Sequence, residues 1–283
     1  MKLKFWKMNG AGNDFIIINN MEEKLPEEKL PHIAARLCKR PMSLGADGFM
    51  AVIRAERGGD FKMLFFNSDG STSEMCGNGA RCICRYGYEN GLAGEMQRVE
   101  TTAGLVTGYR IDRRTYKIRL NDPTVIKVDM KIQTSQGELV CSYVELGDPG
   151  IPHAVLYMPG LKDMSFDQLR DLAREIRYNS AFPKGANVNF YDFDGDGLVE
   201  KTYERGVEDF TYACGTGTGS LVLVLTLKKA VSGKNVRVTV PGGDLFVTVN
   251  TENGKVRDLW LTGGTNIVAK GEITDEELFD SLS

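Results

Sequence analysis

The chain has 283 residues, 42% hydrophobic and 26% charged, an ordinary globular composition that excludes a disordered chain. With 35 basic against 38 acidic residues the formal net charge is −3, so no basic excess marks a nucleic-acid partner. Its longest apolar stretch, residues 221–227, falls far short of the ~20 residues that span a bilayer, and MKLKFWKMNG lacks the apolar core of a signal peptide. A cytoplasmic protein of about two domains, bound to neither membrane nor nucleic acid, is the expectation.

In chain order, β-branched and aromatic residues between turn signals predict strands at 15–18, 48–53, 61–66, 106–111, 117–120, 155–157, 187–191, 198–203, 236–240, 246–249 and 258–261. Leu30, Ile33, Ala34, Leu37 and Cys38 recur at helical spacing, which makes Cys38 a core residue. Ser165 and Gln168 form a capping box ahead of Leu169, Leu172, Ala173 and Ile176. Thr274 with Glu277 predicts the cap of a short final helix. Strands mixed with few helices, without regular β-α-β alternation, give an α+β class. Asp192-Phe193-Asp194-Gly195-Asp196-Gly197 resembles the start of a calcium loop, but Tyr203 occupies the twelfth position, and a turn between two strands is the better account.

Six cysteines (38, 76, 82, 84, 141, 214) stand against two histidines, His32 and His153. Neither C-x2-C nor H-x3-H spacing occurs, and Cys82 and Cys84 on one helix point to roughly opposite sides, so no metal site is expected. Cys76-Gly77-Asn78-Gly79 recurs 138 residues later as Cys214-Gly215-Thr216-Gly217. A β-rich segment precedes each copy. A Pro-free run follows each, 80–89 and 218–231, and then a glycine-centred strand pair at Gly104 and at Gly243. Order and spacing predict one strand–cysteine–helix–strand unit used twice.

A cysteine at a helix entry meets amide N–H groups and about half a unit of positive charge. Such an end predicts a lowered thiol pKa and a site for a carboxylate. Two such ends suggest a carboxylate ligand held between two thiols. A thiolate on one face and a thiol on the other would invert a stereocentre beside that carboxylate by deprotonation and reprotonation. The carboxylate and the helix ends would absorb the developing charge, so no electron-sink cofactor is required. Neither a Rossmann fingerprint nor a Walker loop is present.

At these residues the chain resembles the diaminopimelate epimerases, pyridoxal-independent amino-acid racemases, over nearly its whole length. The resemblance is carried by Met8-Asn9-Gly10-Ala11-Gly12-Asn13-Asp14-Phe15, Phe66-Asn67-Ser68-Asp69-Gly70-Ser71, Glu74-Met75-Cys76-Gly77-Asn78-Gly79-Ala80-Arg81-Cys82, Tyr203-Glu204-Arg205-Gly206 and Ala213-Cys214-Gly215-Thr216-Gly217. It implies two pseudo-symmetric domains, 1–120 with 264–283 and 121–263, each a curved, mostly antiparallel sheet around a central helix, with the site in the cleft between them. It implies Cys76 and Cys214 as the acid/base pair and Gly77-Asn78 and Gly215-Thr216 as holders of the reacting carboxylate. Arg205, with Asn67 and Asn187 beside it, would clamp a distal carboxylate; Glu204 and His153 would hold the amino group and influence the thiols; Asn13 would line the same cleft. Cys82, Cys84 and Cys141 read as packing, and His32 as solvent-facing. A small amino-acid substrate and a homodimer are further implications.

The family often has Gly-Asn-Pro-His where this chain has Gly150-Ile151-Pro152-His153, and bulky Phe210 and Tyr212 precede Cys214. The paired helix-head cysteines together with Asn67, Asn187 and Arg205 make interconversion of LL- and meso-diaminopimelate the leading expectation, and Ile151 motivates the alternative, racemisation of another amino acid such as histidine or a lanthionine-like diacid. A thiol redox or metal-binding protein is the remote one.

Overall fold

The computed structural model describes residues 2–72, 76–252 and 255–282. Glu74 and Met75 of the first cysteine motif, and the end residues Met1 and Ser283 of the first expected domain, lie outside these. The chain divides into two compact units, Met1–Ile118 with Gly263–Ser283, and Arg119–Thr262.

The first unit runs β1 (Leu3–Gly10), β2 (Asn13–Asn19), a short α1 (Asn20–Glu23), α2 (Leu30–Leu37), β3 (Gly48–Ile53), β4 (Phe61–Asn67), α3 (Gly77–Glu89), β5 (Met96–Thr101), β6 (Gly104–Arg110) and β7 (Thr115–Arg119). The second runs β8 (Pro123–Thr134), β9 (Gly137–Leu146), β10 (Ile151–Tyr157), α4 (Phe166–Arg177), β11 (Asn187–Asp194), β12 (Gly197–Glu204), a short β13 (Asp209–Thr211), α5 (Gly215–Leu227), β14 (Val236–Val240), β15 (Gly243–Glu252) and β16 (Lys255–Gly264). The chain then returns to the first unit with β17 (Asn266–Ile273) and α6 (Glu276–Leu282).

Strand pairing exposes the duplication. In the first unit the order is β17-β1-β2-β3-β4-β5-β6-β7, with β2/β3 and β4/β5 parallel and the other pairs antiparallel. In the second it is β8-β9-β10-β11-β12-β14-β15, with β10/β11 and β12/β14 parallel and the others antiparallel. Pair by pair from β17 and from β8, the succession of directions is the same. The fold is α+β with two similar halves.

Each sheet has its cysteine-headed helix on one face and an amphipathic helix on the other. Helix α3 meets β1, β2 and β6 of its sheet, and α5 meets β9, β10, β11 and β15, so each sheet wraps its cysteine-headed helix from near edge to far. That explains why α5 (GTGTGSLVLVLTL) is apolar on every side: it has no face left for water. On the other faces lie the amphipathic α2 and α4. Ile16 and Ile18 of β2 join Leu30, Ile33 and Leu37 of α2; Val188 and Phe190 of β11 join Leu169, Leu172 and Ile176 of α4. Alternate residues of the same strands therefore face the cysteine-headed helix.

The capping box of Ser165 and Gln168 is formed, and the Asp192–Gly197 stretch is the tight turn of the β11/β12 hairpin, with Gly195 at φ 64°. Two expectations move. Helix α5 ends at Leu227, because Lys229 takes φ 57° and the N–H groups of Lys229 and Ala230 bond Thr226 O (3.0 Å) and Leu225 O (2.9 Å). This is a Schellman ending with lysine where glycine is usual. The final helix is capped by Asp275, whose Oδ1 accepts from Leu278 N at 3.1 Å, not by Thr274.

Candidate active site

Cys76 and Cys214 are the N-cap residues of α3 and α5, both extended (φ −129°, ψ 124° and φ −116°, ψ 103°). Each carbonyl accepts the first intrahelical bond, from Ala80 N at 2.7 Å and from Thr218 N at 2.9 Å. The third residue after each cap is glycine because the sheet floor comes close. A Cβ on Gly79 would stand 2.4 Å from Met50 Cε, and one on Gly217 would stand 2.1 Å from Asn189 Oδ1.

In the second unit three neighbouring strands aim a row of polar side chains at the α5 end. The parallel register sets His153 of β10 opposite Asn187 of β11, and the antiparallel one sets Asn189 opposite Thr202 of β12. Alternation puts Asn187 and Asn189 on one face of β11, and Glu200, Thr202 and Glu204 on one face of β12. His153, Asn189 and Glu200 have no exposed surface. His153 Nε2 lies 3.0 Å from Thr216 Oγ1, and Thr216 Oγ1 lies 3.6 Å from Cys214 Sγ, so His153 reaches the thiol through Thr216. Glu204 stands in hydrogen-bond contact with Cys214 and accepts from Thr211 Oγ1 at 2.5 Å. Thr218 Oγ1 sits 2.6 Å from Glu200 Oε2 and 3.0 Å from Cys214 O. Arg205 is exposed; its N–H donates to Asn187 Oδ1 (2.8 Å) and its guanidinium to Lys184 O (3.1 Å).

The first unit presents different chemistry around the same frame. Asn78 donates to Asn13 Oδ1 at 2.7 Å and accepts from Arg81 Nη2 at 2.7 Å, which brings Asn13 and Asn78 together. Asn67 ends β4 in a turn, its Nδ2 on Ser71 Oγ at 2.9 Å. Arg81 is fully buried within Coulombic reach of Cys76. The fifth residue after the second cysteine is Gly219, where a Cβ would meet Leu120 Cδ1 at 2.6 Å, so no arginine fits there.

Burial decides the titration of Cys214. Loss of water, then the charge of Glu204, push its thiol well above the ordinary value, overriding the bonds from Thr216 and the Gly217 amide. The helix end alone predicts the opposite direction; it is outweighed because the sulfur is enclosed and faces carboxylates. Burial raises Glu204 too, takes Glu200 from 4.5 up to about 8, and, with Arg205, brings His153 down to about 3, leaving it neutral. Cys38, Cys82, Cys84 and Cys141 are buried and pushed up to about 12, as packing thiols are. His32 is exposed and meets Ser281 Oγ at 2.9 Å. Among the described residues no group of three or more His, Cys, Asp or Glu is placed to hold a metal ion, and no helix is long and apolar enough to cross a membrane.

Sequence reasoning missed Asn189, Glu200, Thr202 and Arg81. The signal for the first three was polar alternation inside strands, Asn-x-Asn and Glu-x-Thr-x-Glu, where a sheet face turned to a core should be apolar.

Solved structures share the fold. A probable proline racemase from Agrobacterium radiobacter K84, with bound carbonate, superposes with a TM-score of 0.71 at 16% identity, covering 98% of this chain and 95% of that one. A hydroxyproline epimerase from Agrobacterium vitis, with bound trans-4-hydroxy-L-proline, gives 0.71 at 17% identity over 96% and 91%. The diaminopimelate epimerase family model matches residues 5–126 and 146–268, one block in each half. Curated diaminopimelate epimerases from Aquifex aeolicus and Archaeoglobus fulgidus are 36% and 34% identical, each over 98% of this chain and 99% of the relative. The protein is an isomerase of the racemase and epimerase class. Within that class the chain belongs to the diaminopimelate epimerase family.

Proposed function

We propose that this enzyme interconverts LL- and meso-diaminopimelate by a cofactor-independent two-base reaction, with Cys76 and Cys214 on opposite faces of the reacting carbon. One thiolate sulfur takes the α-hydrogen as a proton and becomes a thiol. The electron pair left on carbon spreads into the carboxylate held at the amino ends of α3 and α5. The second thiol then gives its proton to the other face and is left as the thiolate, so proton and charge balance and the reverse reaction starts from the swapped state. Gly77, Asn78, Gly215 and Thr216 hold that carboxylate, Glu204 the amino group, and Arg205 with Asn187 and Asn67 the distal carboxylate, for which a guanidinium fork is suited.

The observation that carries the reading is the duplicated N-cap cysteine, one per half, in a chain whose full-length relatives are named diaminopimelate epimerases. The opposite surroundings of the two sulfurs support it further. A buried cation, Arg81, stands near Cys76, and two acids, buried Glu200 and half-buried Glu204, near Cys214, which favours a resting thiolate at the first and thiol at the second. Ile151, where the family often carries Asn, favours a second reading in which another amino acid is racemised. Incubation in deuterated water with a panel of amino acids decides between them. Deuterium should enter the α-carbon of diaminopimelate; entry into a different amino acid, and none into diaminopimelate, would replace the first reading with the second.

A further inference from the structure

The amide of Asn189 has only one orientation open to it. One end faces two backbone carbonyls, Ala154 O at 3.2 Å and Asn187 O at 3.3 Å, which only accept, so that end is the NH2 group. The other end, Oδ1, accepts from Thr202 Oγ1 at 3.1 Å. The same NH2 group lies 3.2 Å from His153 Nδ1. A donor there requires a lone pair on Nδ1, so the imidazole proton sits on Nε2, 3.0 Å from Thr216 Oγ1. Thr216 Oγ1 therefore accepts from histidine, and its own hydrogen is left for Cys214 Sγ at 3.6 Å.

We propose that Asn189, oriented by Thr202, is a positioning residue that locks His153 in the Nε2–H tautomer and thereby commits the Thr216 hydroxyl to donate to the Cys214 sulfur. All members lie in one unit, and Asn189, His153 and Thr202 are buried, so water does not compete for these bonds. The relay favours the anion that Cys214 becomes after giving up its proton, and this use of it rests on the two-base reading. It is one-sided: the neighbour of the equivalent glycine in the first unit is Met50, which neither donates nor orients an imidazole.

With only two histidines, 15N-histidine NMR of the full chain reads the tautomer without any turnover. His153 should show a pyridine-type Nδ1 and a pyrrole-type Nε2 at neutral pH, against exposed His32 as the internal reference. In Asn189→Asp the new carboxylate accepts from Nδ1–H and the pattern should invert. If that variant does not fold, Asn189→Ala should show a mixture of tautomers. A second readout is iodoacetamide labelling followed by peptide mapping. In either variant Cys214 should label about 10-fold more slowly, the worth of one hydrogen bond to a charged group, while Cys76 in the same molecules keeps its rate. A protonated Nδ1 in the parent protein, an unchanged tautomer in the variant that folds, or equal slowing at both cysteines would overturn the proposal. None of these results depends on which amino acid is the substrate, whereas failure of the deuterium panel would leave them standing.

Discussion

At the scale of single residues, two thiols with the same backbone setting are made unequal by what surrounds them. Cys76→Ala and Cys214→Ala should each lower epimerisation by at least ~10²-fold, the lower end of what a positioned proton carrier contributes, with circular dichroism unchanged; substantial turnover by either variant contradicts the two-base reading. Glu200 makes a separate, thermodynamic prediction. Its folded pKa of about 8 lies above the ordinary 4.5, so the folded state holds the proton more tightly. The stability this supplies is present below 4.5 and is lost as pH rises through about 8. His153, brought down from 6.5 to about 3, works the other way and costs stability as pH falls below 6.5. Comparing the parent with Glu200→Gln isolates the acid. Between about pH 5 and pH 8 the variant should gain on the order of 3 kcal/mol relative to the parent in urea unfolding; parallel pH profiles would mean that Glu200 titrates normally.

At the scale of elements, the two helix heads differ in how much room the sheet leaves them. In Gly217→Ala the new methyl meets the amide of Asn189, which is tied at both ends, at 2.1 Å, so a loss of about 1–3 kcal/mol is expected. In Gly79→Ala the nearest atom is the flexible end of Met50 at 2.4 Å, which can swing aside, and the loss should be smaller; a larger loss at Gly79 would reverse this assignment. The elements most legible in the sequence were those with one solvated and one buried face. The apolar spacing of α2 and the capping box of α4 predict both helices, and the copied Cys-Gly-x-Gly marks the heads of α3 and α5. Strand β8 of the β8/β9 hairpin carries the period-two signal of a strand, Ile126, Val128, Met130 and Ile132 alternating with Lys127, Asp129, Lys131 and Gln133, and so was legible although not read; it is mostly exposed along its length. The end of α5 was misplaced because its left-handed residue is a lysine. The polar row behind Cys214 escaped notice for a related reason. Asn189 and Thr202 resemble strand polarity directed at solvent, and only the wrapping of the sheet around α5 turns them inward.

At the scale of the molecule, the fold is one unit used twice, with a C-terminal segment that completes the first copy. Strand β17 pairs with β1, Ile273 and Leu278 join the core under α2, and Asp275 accepts from Arg36 at 2.9 and 3.0 Å. Leu278→Ala should therefore destabilise the first unit by about 2–4 kcal/mol, seen as an earlier transition in thermal unfolding; an unchanged curve would mean that α6 is only appended. Duplication also lets each half diverge around the same frame, toward a buried arginine, Arg81, in one and a buried acid, Glu200, in the other.

The claim that one cysteine removes the proton and the other delivers a different one is tested most directly by the fate of solvent deuterium at low conversion. In deuterated water the diaminopimelate product should carry one deuterium at the inverted carbon, while the recovered substrate carries none. Protium retained in the product, or deuterium appearing equally in substrate and product from the first turnovers, would contradict the two-base account.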